Sequence, residues 1–214
     1  MEHILLYIVR HGDTDYNDKN LFLGDLDIPM NDDGRKMVDE ALEYLKGLDL
    51  QPNFIISSDR LRALETVEKL LEIYDAPTHE TPHLRPWDKG EFVGKPRTDE
   101  NKLELQKYFD DPYLTIPGGE SEKAFIERSL PAIEECFQLA ITRGMGIVVT
   151  HSSVIHEIGI MLDGDRDAIM VEPGGVIIIG IDNGHSIAKP LFKPMLAKPE
   201  VKNTKGTVGA ETSF

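Results

Sequence analysis

Short uninterrupted apolar runs alternate along the chain with stretches whose apolar side chains recur every three or four positions. Ile4-Leu5-Leu6-Tyr7-Ile8-Val9, Phe54-Ile55-Ile56, Gly146-Ile147-Val148-Val149-Thr150 and Val176-Ile177-Ile178-Ile179-Gly180-Ile181 are runs of the first kind. Their length and branched content suit strands buried on both faces. Helical spacing places Met37, Ala41, Tyr44, Leu45 and Leu48 behind the capping oxygens of Asn31-Asp32-Asp33-Gly34, with an end near Gly47. Leu61, Leu64, Val67, Leu71 and Tyr74 make a second stripe behind a cap at Ser57-Ser58-Asp59. Ser121 caps a long helix with Phe125, Leu130, Ile133, Phe137 and Ala140 inward, bent by Pro131. Ser152-Ser153 begin another that runs through Leu162, and residues 101–109 form a short one.

Strand, helix, strand, helix is the alternation of an α/β fold with a mostly parallel sheet. A hairpin turn falls at Asp182-Asn183-Gly184. Thr81 to Arg97 carries three prolines, two glycines and the only tryptophan, Trp87. Residues 81–120 therefore read as an insertion over the sheet edge. One domain occupies residues 1–188. From Lys189 on, three prolines and five lysines leave no periodicity, and residues 189–214 are expected to be an extended or disordered tail. The alternative is a wrapped tail contributing to the contact of a homodimer.

Composition narrows the partners. The 214 residues hold 23 Lys plus Arg against 38 Asp plus Glu, a formal charge of −15, which argues against a nucleic acid polymer or an anionic membrane as partner. A local cluster of cations in so acidic a chain is correspondingly informative. The single cysteine, Cys136, excludes an internal disulfide and a multi-cysteine metal site, and its apolar-periodic setting makes it core filler. The first apolar run is too short for a signal peptide and no stretch approaches a membrane span, so a soluble, cytoplasmic protein is expected.

The chemistry gathers where strands give out. The first strand ends at Arg10-His11-Gly12, the second at Ser57 with Arg62 in the first turn of the helix behind it, and the strand at 146–150 runs into His151. If these strands are parallel, all four basic groups share one sheet edge, where open α/β sheets bind ligands. Helix N-termini there add backbone N–H groups and positive dipole ends. Such a set suits a phosphoryl group: guanidinium grips its oxygens bidentately, and imidazole attacks phosphorus or donates to an oxygen. Taken singly, His11 reads as an ordinary polar residue and His151 as a helix cap; only their joint placement carries the argument.

These segments resemble the histidine phosphatase superfamily, the phosphoglycerate mutase-like enzymes, from about residue 4 to 182. Arg10-His11-Gly12-Asp13-Thr14-x-x-Asn17 is similar to the family's opening motif, and Ser57-Ser58-Asp59-x-x-Arg62-Ala63-x-x-Thr66 to its second signature. Pro117-Gly118-Gly119-Glu120-Ser121 resembles a common third, and Val148-Val149-Thr150-His151-Ser152-Ser153-Val154-Ile155 the second-histidine segment. The resemblance implies a three-layer αβα sandwich with a small cap insertion. It implies His11 as the nucleophile that becomes a phosphohistidine. Arg10, Arg62 and His151 would bind the phosphoryl oxygens, assisted by Asn17 and Thr14, with no metal and no cofactor. Arg10 and Arg62 are expected to lower the pKa of His11 and keep it neutral.

One segment departs from the family. Where the pattern reads Leu-Arg-Glu-x-x-x-Gly-x-x-x-Gly, this chain has Leu84-Arg85-Pro86-Trp87-Asp88-Lys89-Gly90-Glu91-Phe92-Val93-Gly94. Pro86 occupies the place of the acid that protonates the leaving oxygen. Asp88 is the first candidate to replace it, since residues two apart in an extended segment point to one side. Glu91 is the second. Trp87, Lys89, Lys95 and Arg97 are candidates to line the leaving-group pocket, or else a core tryptophan and solvated cations. Hydrolysis of a small phosphomonoester is the leading reading, favoured by the compact segment between the second and third signatures. A cofactor-dependent mutase using the same phosphohistidine, a non-catalytic phospholigand-binding protein and, more distantly, a zinc hydrolase built on His11 and His151 are the alternatives.

Overall fold

The first apolar run becomes the strand β1 (His3–Arg10), and its alternating side chains divide between two cores. Leu6 and Ile8 enter one cluster while Tyr7 and Val9 enter the other, each of the four 7 % exposed or less. The computed structural model describes residues 3–165, 167–182 and 185–195. The further strands are β2 (Ile55–Ser58), β3 (Thr78–Thr81), β4 (Gly146–Thr150), β5 (Val176–Asp182) and β6 (His185–Phe192). They form one sheet in the order β3-β2-β4-β1-β5-β6. The β1, β2, β3 and β4 strands run parallel, β5 pairs antiparallel with β1, and β6 antiparallel with β5.

Among the described residues six α-helices accompany the sheet: α1 (Asp15–Asp18), α2 (Asp32–Lys46), α3 (Leu61–Leu71), α4 (Asp99–Asp110), α5 (Glu122–Arg143) and α6 (Ser152–Asp163). Val38, Ala41, Leu42 and Leu45 of α2 and Ala63, Val67 and Leu70 of α3 pack on the face carrying Tyr7, Val149 and Ile178. On the other face, α5 and α6 cover Ile8, Val148 and Ile177 with Phe125, Ile133, Val154 and Ile158. Alternation along the strands thus feeds two cores, and the result is the expected three-layer α/β sandwich with a mixed, mostly parallel sheet. From the insertion, Leu84, Trp87, Phe92, Leu105 and Ile116 join the larger core. Among the described residues no helix is long and apolar enough to cross a membrane.

Caps at Asn31 and Ser121 form as expected, each side chain accepting from the backbone N–H three residues on. Several features differ from expectation: Tyr44 of α2 and Leu48 just beyond it, both in the expected stripe, are exposed, and the buried face is Met37, Val38, Ala41, Leu42 and Leu45. In α3, Leu61 and Leu71 are 44 % and 46 % exposed, because the buried face is Ala63, Thr66, Val67 and Leu70 together with Arg62. Counting only apolar positions omits an inward arginine and turns the stripe. The Ser57-Ser58-Asp59 cap is replaced: Arg60 stands at the N-cap without a side-chain capping bond, and Asp27 accepts from the Leu61 N–H at 2.8 Å. The strand β3, a short and mostly exposed edge, has no hydrophobic alternation to reveal it. Finally, β6 continues through Lys189 to Phe192, with Pro190 opposite Ile177 on the outer strand, so residues 189–192 of the expected tail are strand. Residues 196–214 lie outside the described residues, as do Asn183 and Gly184 of the expected hairpin turn, although Asp182 pairs with His185 across it.

Candidate active site

Register brings the two histidines together. Adjacent parallel strands β1 and β4 pair Arg10 with Thr150, and the His11 N–H donates to the Thr150 carbonyl at 3.2 Å. The residues that follow, His11 and His151, therefore leave the sheet side by side, with ring centroids 4.9 Å apart and planes tilted by 56°. From α3, behind the strand on the far side of β4, Arg62 reaches in and its Nε donates to His11 Nε2 at 3.3 Å. Arg10, His11, Arg62 and His151 are all buried, none more than 4 % exposed.

The hydrogen bonds assign a tautomer to His11. Its Nδ1 lies 2.6 Å from the Gly12 carbonyl, which only accepts, so Nδ1 carries the proton. Nε2 faces the Arg62 donor and so presents its lone pair. Burial, then the guanidinium charges of Arg62 and Arg10, push the His11 pKa well below its ordinary value, against a smaller opposing effect of the Gly12 bond. His151 is pushed down likewise, by burial first and then by Arg62, His11, Arg10 and Arg60. Neither ring nitrogen of His151 has a hydrogen-bond partner among the described residues. Burial lowers Arg62 to about 10, which leaves it charged at neutral pH. Its Nη1 donates to the Leu26 carbonyl at 2.7 Å and its Nη2 to the Gly24 carbonyl at 3.3 Å. Arg10 donates to the Val171 carbonyl at 2.6 Å.

The opening motif is folded tightly against α2. A Cβ on Gly12 would lie 2.2 Å from the Gly34 carbonyl oxygen, so the two backbones approach where only glycine fits. Thr14 caps α1 and donates its hydroxyl to Asn17 Oδ1 at 2.7 Å, which fixes the Asn17 amide with its NH₂ on the other side.

The departing segment touches both the helix that follows His151 and the loop bonded to Arg62. The Trp87 N–H donates to Ser153 Oγ at 3.0 Å, two residues past His151. Lys89 packs on Gly24, where a Cβ would meet its backbone nitrogen at 3.1 Å, and Gly24 is bonded to Arg62. Asp88, between them, is half-buried, and one of its carboxylate oxygens accepts from the Gly90 N–H at 3.0 Å. Glu91 is exposed, with its backbone N–H on the Pro117 carbonyl at 2.9 Å. Trp87 is core, 2 % exposed and edge-on to Phe109 at 4.7 Å. Lys89, Lys95 and Arg97 lie over the rings of Trp87, Phe92 and Phe22 at 5.6, 4.5 and 5.6 Å. Arg128, which contacts this segment, escaped the sequence reading because a lone arginine on a long helix carries no periodic signal. Among the described residues no group of three or more His, Cys, Asp or Glu is arranged to hold a metal ion. Cys136 is buried, its thiol raised to about 12.

An αβα sheet whose carboxyl edge gathers two neutral imidazoles and buried guanidinium groups has the chemistry to bind an anion such as a phosphoryl group. Residues 6–187 match the family model described as "Histidine phosphatase superfamily (branch 1)". The chain belongs to the histidine phosphatase superfamily. Among its relatives, an uncharacterized phosphatase, PhoE, of Bacillus subtilis is 30 % identical over 70 % of this chain and 72 % of its own length. A 2,3-bisphosphoglycerate-dependent phosphoglycerate mutase of Parvibaculum lavamentivorans is 28 % identical over 92 % of this chain and 98 % of its own. The crystal structure of a putative alpha-ribazole-5'-P phosphatase from Escherichia coli superposes with a TM-score of 0.70 at 22 % identity, covering 87 % of this chain and 94 % of that one. Phosphatase and mutase are both represented, and the phosphatase reading fits.

Proposed function

We propose that this protein hydrolyses a small phosphomonoester through a phosphohistidine on His11 Nε2. The observation that carries the reading is the His11 tautomer, Nδ1 on Gly12 and Nε2 toward Arg62, which aims a lone pair into the basic hollow. A phosphoryl oxygen entering this hollow takes the Arg62 Nε–H from His11, and Nε2 attacks phosphorus in line as the ester P–O bond breaks. Arg10, Arg62 and His151 hold the equatorial oxygens, and Asn17 donates its amide N–H groups, positioned by Thr14. This is catalysis by placement and preorganised charge. The leaving oxygen takes its proton from Asp88. In the second half, Asp88 accepts a proton from water as that water attacks the phosphohistidine, releasing inorganic phosphate and restoring His11. Asp88 is half-buried and lies in the chain between Trp87, bonded to Ser153, and Lys89, packed on Gly24, which supports it over the exposed Glu91. A cytoplasmic location and a homodimer belong to the proposal, and gel filtration tests the second.

Turnover of p-nitrophenyl phosphate in EDTA tests the reading, because its leaving group barely needs protonation. Wild type is expected to be active, and His11→Ala to lose at least about 10³-fold, in line with removal of a catalytic nucleophile. Inactive but folded wild-type protein would favour a phospholigand-binding module, and EDTA inhibition a metal hydrolase. The mutase reading is the second one, favoured by the phosphoglycerate mutase relative that covers 92 % of the chain. Interconversion of phosphoglycerates primed by 2,3-bisphosphoglycerate, faster than phosphate release, would replace the hydrolase with it.

A further inference from the structure

We infer that Glu120 and Arg128 form a positioning clamp that places Asp88 at the leaving-group side of the site. The inference rests on the proposed role of Asp88 as the proton donor. All five guanidinium N–H groups of Arg128 are spent on the Glu120 carboxylate and the carbonyls of residues 83–86. Nε donates to Glu120 Oε2 at 3.0 Å and Nη2 to Glu120 Oε1 at 2.6 Å, a bidentate pair. Nη1 donates to the carbonyls of His83 at 3.1 Å and Arg85 at 3.0 Å, and Nη2 to that of Pro86 at 2.8 Å. Glu120 passes the constraint on: its Oε1 accepts from the Asp88 N–H at 2.9 Å, and its own N–H donates to the Asp88 carbonyl at 3.2 Å. Its carbonyl takes the Trp87 indole N–H at 3.2 Å.

The segment 83–88 is irregular and, at Pro86, has no N–H with which to anchor itself. Its carbonyls are instead threaded onto one arginine, and its carboxylate-bearing residue onto the partner of that arginine. The two side chains are 23 % and 19 % exposed, so solvent screens the pair less than a surface one. A lysine could supply the charge but not a planar fork with five directed donors. Since Trp87 is tied to Ser153 beside His151, slack in the clamp moves Asp88 relative to the bound phosphoryl group. Neither Glu120 nor Arg128 touches substrate in this account. Their effect passes entirely through Asp88, and misplacement by 1 Å costs about 10²-fold.

The test is the ratio of kcat/KM for p-nitrophenyl phosphate to that for glycerol 2-phosphate, whose alkoxide needs a proton. Asp88→Asn is expected to raise this ratio by about 10²-fold or more. Arg128→Leu is expected to raise it by about 10- to 100-fold, and the double variant no further than Asp88→Asn alone. General loosening of the fold would lower both substrates together and leave the ratio where it was. If Asp88→Asn raises the ratio while Arg128→Leu does not, or the two effects multiply, the clamp is wrong and the Asp88 assignment stands. If Asp88→Asn leaves the ratio unmoved, the assignment fails and takes the clamp with it. Should thermal melts show Arg128→Leu unfolded, Arg128→Lys and Glu120→Gln are read in its place by the same criterion.

Discussion

Two buried histidines held neutral make the protein's stability depend on pH in a calculable way. Both His11 and His151 have pKa values pushed well below the ordinary one, chiefly by burial and then by the Arg62 charge. In the unfolded chain each takes a proton near pH 6.5. Below that pH the unfolded state binds two protons that the native state refuses, so stability is full above about 6.5 and falls as pH drops beneath it. Between pH 7.5 and 5.5 each histidine favours unfolding by a factor of about ten, or about 1.4 kcal/mol, and the pair by about 2.7 kcal/mol. For a chain of this size that corresponds to about 5–11 °C in Tm. Urea and thermal melts at the two pH values, in phosphate-free buffer so that no anion binds the native site, supply the measurement. Paired carboxylates such as Asp59, held below the ordinary range by its bond to Arg85, lose their contribution only below about pH 5 and so stay out of this interval, and the double variant His11→Asn/His151→Asn removes the histidine share. It is expected to lose about 2.7 kcal/mol less than wild type over the interval, with each single variant halfway. A double variant whose loss matches wild type would mean that the native imidazoles protonate as freely as unfolded ones. The neutral, nucleophilic His11 would fall with that result.

Gly12→Ala is expected to cost about 1–3 kcal/mol or more and most of the activity, since the new Cβ would sit 2.2 Å from the Gly34 oxygen and 2.7 Å from Met30 Sδ. Gly164→Ala, at φ +69° with nothing within 4 Å, is its control: about 1 kcal/mol of backbone strain in urea melts, with activity kept. Equal effects of the two substitutions would show that the Gly12–Gly34 approach is not tight. On glycerol 2-phosphate, Asp88→Asn is expected to lose about 10²–10⁴-fold and Glu91→Gln less than twofold. The reverse order would move the acid to Glu91.

Much of the scaffold was legible because burial on two faces writes an uninterrupted apolar run. The runs at 4–9, 146–150 and 176–181 became β1, β4 and β5 almost to the residue. Side-chain caps at Asn31 and Ser121 are equally local, an oxygen meeting an N–H three positions on. The polar residues that end those runs, Arg10, His11 and His151, were visible for the same reason. Where an apolar run gives way to cations, the strand has reached the sheet edge.

What the chain could not state locally is which strand lies beside which. Hydrophobic pattern reports how deeply a residue is buried, not its neighbour. Only the hydrogen bonding of β1 to β4, in a register that sets Arg10 against Thr150, brings two imidazoles separated by 140 positions to 4.9 Å. Arg62 was read as a helix-terminal cation and proved to be the largest fully buried side chain of α3, held by hydrogen bonds to carbonyls of a distant loop. The same holds for the Asp27 cap of α3, the core position of Trp87 and the grip of Arg128 on 83–86. Each is a long-range polar bond or contact whose two ends look unremarkable until folding brings them together. Sequence determined the elements and the chemistry at their ends. Tertiary structure alone decided their adjacency, and with it the protonation state of His11, because desolvation and neighbouring charge act through space and not along the chain.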